Sequence, residues 1–213
     1  MMNSREFARV LATIGFAAFF QFGLSAPVWA DAQVPGLAAK IVYCSTCHGK
    51  NGEGFNGYYY LPRLAGQTPE YIVNQLKSYA DHDRDNPVGK KFMWPIAEGL
   101  SPEMQTALAA HYSQFKAPPA GGGETGQELI GKTVFEKGVP ASQVLACNMC
   151  HGQNAEGLGP TPRLAGQGYL YIKRIFEDWQ EGYRAHAAPM PDYAKALTEV
   201  EIEGLAQYLS TLP

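Results

Sequence analysis

The sequence predicts an all-α protein made of two tandem small domains, each too small to close its core with side chains alone. Three observations carry this. LPRLAGQ at residues 61–67 returns as TPRLAGQ at 161–167, six identical residues in a row that mark a duplication. Apolar residues in both copies recur at helical spacing, and no alternating run demands a sheet. All four cysteines fall in one five-letter word written twice, CSTCH at 44–48 and CNMCH at 147–151. The 213 residues, 46% hydrophobic and 12% aromatic, suffice for a core in one large or two small domains.

In chain order, residues 1–30 read as a signal peptide. Arg5 and Arg9 precede the apolar stretch VLATIGFAAFFQFGL, and VWA at 28–30 ends on a small residue suited to cleavage. A retained membrane anchor is the weaker reading, because the stretch runs about 15 residues where a spanning helix needs ~20, and Gln21 interrupts it. Cleavage after Ala30 leaves 15 basic and 19 acidic residues, and this acidic balance argues against a nucleic-acid partner.

The first domain is expected over residues 31–117, a Pro/Gly-rich linker over 118–125 and the second domain over 126–213. In the first domain a helix leads from Leu37 to Tyr43 into the cysteines. Ile72, Leu76 and Tyr79 share one face of a helix opened by Thr68 and Pro69. Met104, Leu108, Tyr112 and Phe115 line a third, opened by Ser101 and Pro102. The second copy repeats the plan: a helix from about Gly126 to Lys137, a match of Tyr71 and Ile72 at Tyr171 and Ile172, and a last stripe at Ile202, Leu205, Leu209 and Leu212 behind a capping box of Thr198 and Glu201. Domains of under a hundred residues bury a modest share of their surface, so a cofactor is expected in the middle of each.

The spacing C-x-x-C-H supplies one. Two thiols a helical turn apart can add to the two vinyl groups of a haem, and the adjacent imidazole then meets the iron. Cys44, Cys47, Cys147 and Cys150 are therefore the expected attachment points of two covalent haem c groups, with His48 and His151 as iron ligands. A zinc ribbon would place its cysteine pairs about 15–20 residues apart, against 99 residues between Cys47 and Cys147 here. A thioredoxin-like pair needs a βαβ unit that the pattern lacks, and structural disulfides would leave both histidines idle.

The sixth ligand decides between carrier and enzyme. Met149 lies inside its own C-x-x-C-H word, and Met104 belongs to a core stripe. Met93 and Met190 remain: both precede Ala by four residues, Leu by seven and then a helix N-cap, and both have proline nearby in expected loops. They are the preferred distal ligands. His82, His111 and His186 fit surface or packing roles better. His/Met ligation raises a haem's reduction potential, which suits a carrier late in a respiratory chain.

The two C-x-x-C-H words, the repeated PRLAGQ, the Tyr-Ile helix starts, Arg84 and Arg184, and the two methionine segments ending in LS and LT together resemble the dihaem cytochrome c4 family, two fused class I cytochrome c domains, over the whole exported part. The resemblance implies that the carbonyls of Pro62 and Pro162 accept hydrogen bonds from the proximal imidazoles. Arg63 and Arg163, or Arg84 and Arg184, either neutralise haem propionates or lie solvated on the surface. It further implies a periplasmic electron carrier between a quinol-oxidising complex and a terminal oxidase, with no catalytic residue and with any membrane association running through those partners. The alternatives are the cytochrome subunit of a periplasmic dehydrogenase, such as a flavoprotein oxidising sulfide, and a dihaem peroxidase. Charge is uneven, with 8 basic and 8 acidic residues over 31–116 but 7 and 11 over 124–213, a dipole able to orient the molecule toward partners.

Overall fold

The computed structural model describes residues 34–55, 61–116, 118–123 and 126–213. The expected signal peptide and the tyrosine run at 58–60 lie outside the described residues. Helices dominate, no strand forms among the described residues, and Val139–Val144 and Leu158–Thr161 make isolated bridges. The first half contains α1 (Leu37–His48), α2 (Pro69–Ala80), α3 (Pro87–Glu98) and α4 (Pro102–Ser113). The second contains α5 (Glu128–Lys137), a 3₁₀ turn (Pro140–Ser142), α6 (Asn148–His151), α7 (Tyr169–Gln180), α8 (Met190–Ala196) and α9 (Glu199–Thr211).

The starts follow local chemistry. Thr68 accepts from the Tyr71 N–H and Ser101 from the Met104 N–H, each followed by proline at the first helical position. Thr198 and Glu201 form the expected capping box. Two helices depart from expectation. α1 does not stop at Tyr43 but continues through the whole word CSTCH. In the second half Gly138, at φ 68°, ends α5, and Pro140 opens a short turn, so CNMCH sits on the separate α6.

Each half closes its own apolar cluster. Ile72, Leu100, Met104, Leu108, Ala109 and Tyr112 form the first. A larger one gathers Phe135, Phe176, Trp179, Leu205 and Leu209 among others. α2 packs on α3 and α4, and α7 on α8 and α9. α5 crosses α9 so closely that a Cβ on Gly131 would overlap the Gly204 carbonyl. The halves belong to one compact unit over residues 33–213. The linker is no loose tether: the Gly121 N–H donates to Ser210 O at 3.0 Å, and the Arg63 guanidinium donates to the Pro118 carbonyl. Among the described residues no helix is long and apolar enough to cross a membrane.

Candidate functional site

The two cysteine-histidine words adopt matched geometry despite their different helices. Cys44 and Cys147 are partly buried, Cys47 and Cys150 are exposed, and all four thiols are free. Burial raises the pKa of both inner thiols, that of Cys147 to about 11. Each word is followed by a loop that turns back on it. Gly54 N–H donates to His48 O at 2.7 Å and Gly157 N–H to His151 O at 2.8 Å; Leu64 N–H reaches Gly52 O and Leu164 N–H reaches Ala155 O.

That loop delivers a proline carbonyl to each histidine. His48 Nδ1 lies 2.9 Å from Pro62 O, and His151 Nδ1 lies 2.9 Å from Pro162 O. A carbonyl can only accept, so Nδ1 carries the proton in both rings. Burial lowers both imidazole pKa values, partly offset by the carbonyl. A neutral ring protonated at Nδ1 presents its lone pair at Nε2, the form that binds a metal. His48 is 8% exposed and His151 7% exposed.

The methionines are placed less alike. Met190 is half-buried, opens α8 and packs on the same apolar cluster as Cys147. Met93 is half-buried too but lies inside α3, which corrects the expectation of two matched loops. The reason is local: Pro87 at the first helical position starts a helix that runs twelve residues, past Pro95, to Glu98. α3 is then fixed by Trp94, whose Nε1–H donates to Arg84 O at 2.9 Å and whose ring stacks on His82 at 3.7 Å between centroids. His82 also meets Glu98 at 2.5 Å. Met104 is core, as expected, and Met149 is 69% exposed.

The repeated PRLAGQ does something the sequence did not disclose. Gln67 Oε1 accepts from Arg163 N–H at 2.7 Å and its Nε2 donates to Arg163 O at 3.0 Å. Gln167 does the same to Arg63, at 2.8 and 3.1 Å. Each copy of the word thus clasps the other in a two-fold arrangement. The four arginines lie along the same seam and not on an open surface. Arg63 donates to Gly166 O at 2.9 Å, and Arg84 to Tyr171 OH at 2.9 Å and Gln75 at 2.5 Å while lying over Tyr79. Arg184 lies over Trp179 and donates its backbone N–H to Asp85 at 2.8 Å. Arg163 donates to Pro213 O at 2.7 Å.

Residues 126–209 match the protein family described as cytochrome c oxidase, cbb3-type, subunit III. The chain is 39% identical over 184 residues to cytochrome c-552 of Acidithiobacillus ferridurans, covering 86% of this chain and 78% of that one. It is 35% identical over 216 residues to a protein of Thiomonas intermedia named thiosulfate dehydrogenase electron acceptor, covering 96% and 91%. The solved cytochrome c4 of Acidithiobacillus ferrooxidans superposes with a TM-score of 0.73 at 39% identity, over 79% of this chain and 98% of that one. The chain belongs to the dihaem cytochrome c4 family. Its fold is the two-domain class I cytochrome c fold, and it is an electron-transfer protein carrying two covalently attached haem c groups.

The residues present fit those groups. Two free thiols stand beside a buried neutral imidazole in each half. Among the described residues the buried N–H donors Arg84 Nε, Arg163 Nε and Trp179 Nε1 find no acceptor, so each can serve an anionic group. Bound there, haem c supplies a one-electron ferric/ferrous couple. The chain's own part is to hold the imidazoles in one tautomer, exclude water around them and set the charge at the seam.

Proposed function

We propose that this cytochrome c4 is a periplasmic electron carrier in which Cys44 and Cys47 attach the first haem, Cys147 and Cys150 the second, His48 and His151 are the proximal ligands, and Met93 and Met190 the distal ones. The observation that carries it is the pair of buried imidazoles, each one residue after a free cysteine pair and each fixed at 2.9 Å to a proline carbonyl. Two ligands per iron leave no site for a substrate, so the protein transfers electrons and performs no chemistry of its own. The signal-like residues 1–30 support export, and the family supports quinol-oxidising complexes as donors and a terminal oxidase as acceptor.

The test is spectroscopic. Ferric haem with a methionine sulfur ligand shows a weak near-infrared band; Met93→Ala and Met190→Ala each remove it from one haem and lower that haem's potential. Carbon monoxide binds neither haem of the reduced wild-type protein. An unchanged band in either variant overturns that ligand, and rapid carbon monoxide binding to the wild type turns the reading toward a peroxidase.

A second reading is favoured by the Thiomonas relative, named an electron acceptor of thiosulfate dehydrogenase. Here the chain receives electrons directly from a periplasmic dehydrogenase. Reduction by a thiosulfate dehydrogenase plus thiosulfate, at a rate matching turnover, supports it; copurification of a flavin-bearing partner points instead to a sulfide-oxidising flavoprotein.

A further inference from the structure

We infer that the exposed Lys90–Lys91–Phe92 face of α3 is the docking surface through which the first half exchanges electrons with a redox protein that is acidic around its own redox centre. The inference rests on the carrier reading, with Met93 closing the first haem.

The two halves differ in charge at their methionines. GKKFM at 89–93 stands where HAAPM stands at 186–190. Lys90 and Lys91 are exposed, and Phe92 is 54% exposed. The ammonium of Lys90 lies 5.0 Å from the Trp94 ring and that of Lys91 5.2 Å from the Phe92 ring. Among the described residues neither lysine meets a carboxylate. The acids of the surrounding elements are engaged otherwise: Glu98 with His82, Asp81 with Lys77 at 2.7 Å, and Asp85 with the Arg184 N–H. Asp83, on the turn before α3, is exposed.

The shape suits a transient complex. Its lysines lie directly beside an exposed aromatic ring, which offers an apolar anchor within a steering charge. The face is presented on a fixed helix, because Trp94 ties α3 to Arg84 O and to His82. Phe92 is one residue from the half-buried Met93, so a partner seated on it would sit beside the distal side of the first haem. In the second half Ala187, Ala188 and Pro189 occupy the matching positions without charge, and Asp192 follows. With 7 basic and 11 acidic residues over 124–213, that half repels an acidic partner and leaves the first half as its entry point.

The test uses the full dihaem protein with Lys90→Glu/Lys91→Glu, Lys90→Gln/Lys91→Gln and Phe92→Ala. Two probes report: hexacyanoferrate(III) as an anionic oxidant in stopped flow, and a polyglutamate peptide titrated into the ferrous protein while backbone amide shifts are followed. The charge reversal slows oxidation of the first haem by about tenfold or more at low ionic strength and inverts the salt dependence. The glutamine variant falls between. Polyglutamate shifts amides over residues 88–94 in the wild type and not in the reversed variant; Phe92→Ala weakens that saturation. Unchanged oxidation by hexacyanoferrate, or polyglutamate shifts located elsewhere, overturns the proposal. So does binding of phosphatidylglycerol vesicles through these lysines without any response to polyglutamate, which would make the face a membrane contact. Self-association abolished by the reversal would make it a contact between copies. The near-infrared band is read in every variant. Its persistence shows that ligation by Met93 stands whether or not the docking face does, and the Met93→Ala experiment tests ligation alone.

Discussion

In the first half one helix runs unbroken into CSTCH, whereas in the second half Gly138 and Pro140 stop α5 and a short separate helix presents CNMCH. Met93 lies in mid-helix and Met190 opens one. Yet both histidines end 2.9 Å from a proline carbonyl, and both copies of PRLAGQ clasp the opposite half with equivalent bonds. After duplication, helix lengths, surface charge and loop lengths diverged, the proximal loop included, since Pro62 follows His48 by 14 residues and Pro162 follows His151 by 11; the imidazole–carbonyl bond and the glutamine clasp did not. Those are the places where a buried polar group lacks any alternative partner, so a change there costs a full unsatisfied bond.

The sharpest way to break the comparison is to cut the seam. Gln67→Ala leaves the N–H and C=O of half-buried Arg163 without their partner in the opposite half, and Gln167→Ala those of buried Arg63. Each costs about 2 kcal/mol, and the double variant about 4 kcal/mol if the two sites act independently. Urea unfolding of the dihaem protein checks this. Equal losses from the two single variants confirm that the clasp is two-fold, and two separated transitions in the double variant show the halves unfolding apart. A large loss on one side only would show the symmetry to be geometric and not energetic.

The second test concerns the helix crossing that only the second half tightens this far. Gly131→Ala places a Cβ on the Gly204 carbonyl, which neither backbone can vacate cheaply, and costs about 3 kcal/mol. In the first half α1 meets α4 through the side chain of Tyr112, whose hydroxyl reaches Ile41 O at 3.4 Å. Read in the Gln67→Ala/Gln167→Ala background, where the halves can unfold apart, the transition of the second half should therefore shift while that of the first stays in place.

A third test moves one half toward the other. Gly52, at φ +80°, corresponds to Ala155, at φ 56°. A Cβ on Gly52 would lie 2.7 Å from Tyr112 Cδ1, whereas the residue matching Tyr112 in the second half is Leu209, since Gly66 N–H donates to Tyr112 O and Gly166 N–H to Leu209 O. Gly52→Ala costs about 2 kcal/mol. Combined with Tyr112→Leu the penalties are less than additive, because the second change removes the ring that the first collides with. Strict additivity would mean that the Ala65 backbone nitrogen, 2.9 Å from the same Cβ, sets the cost instead.

Much of this was legible in the sequence because it is local. The all-α class, the caps at Thr68, Ser101 and Thr198, and the core role of Met104 follow from periodicity and from side chains bonding within three residues. The duplication fixed which residues correspond. What stayed hidden depends on long separations. Gln67 meets Arg163 across 96 residues, and nothing in PRLAGQ itself distinguishes a clasp from an ordinary loop. The identity of both copies was the signal: a self-complementary contact needs the same residues on both sides. The helix around Met93 could have been read from Asn86 and Pro87 at its start, but Pro95 argued for a loop.

The smallest expected effect lies at the last helix of each half. Ser101 and Thr198 both accept the N–H three residues on, so Ser101→Ala and Thr198→Ala should each cost about 1 kcal/mol. The residues at that third position differ: Glu201 returns its carboxylate to the Thr198 N–H at 2.7 Å, whereas Met104 turns into the first core. Glu201→Ala therefore removes a few tenths of a kcal/mol of cap energy by a mechanism that the first half lacks. Glu201→Gln keeps an oxygen that can accept from the Thr198 N–H, so it should lose less than Glu201→Ala. A glutamine variant that loses as much as the alanine variant in urea unfolding would assign the effect to something other than the reciprocal cap.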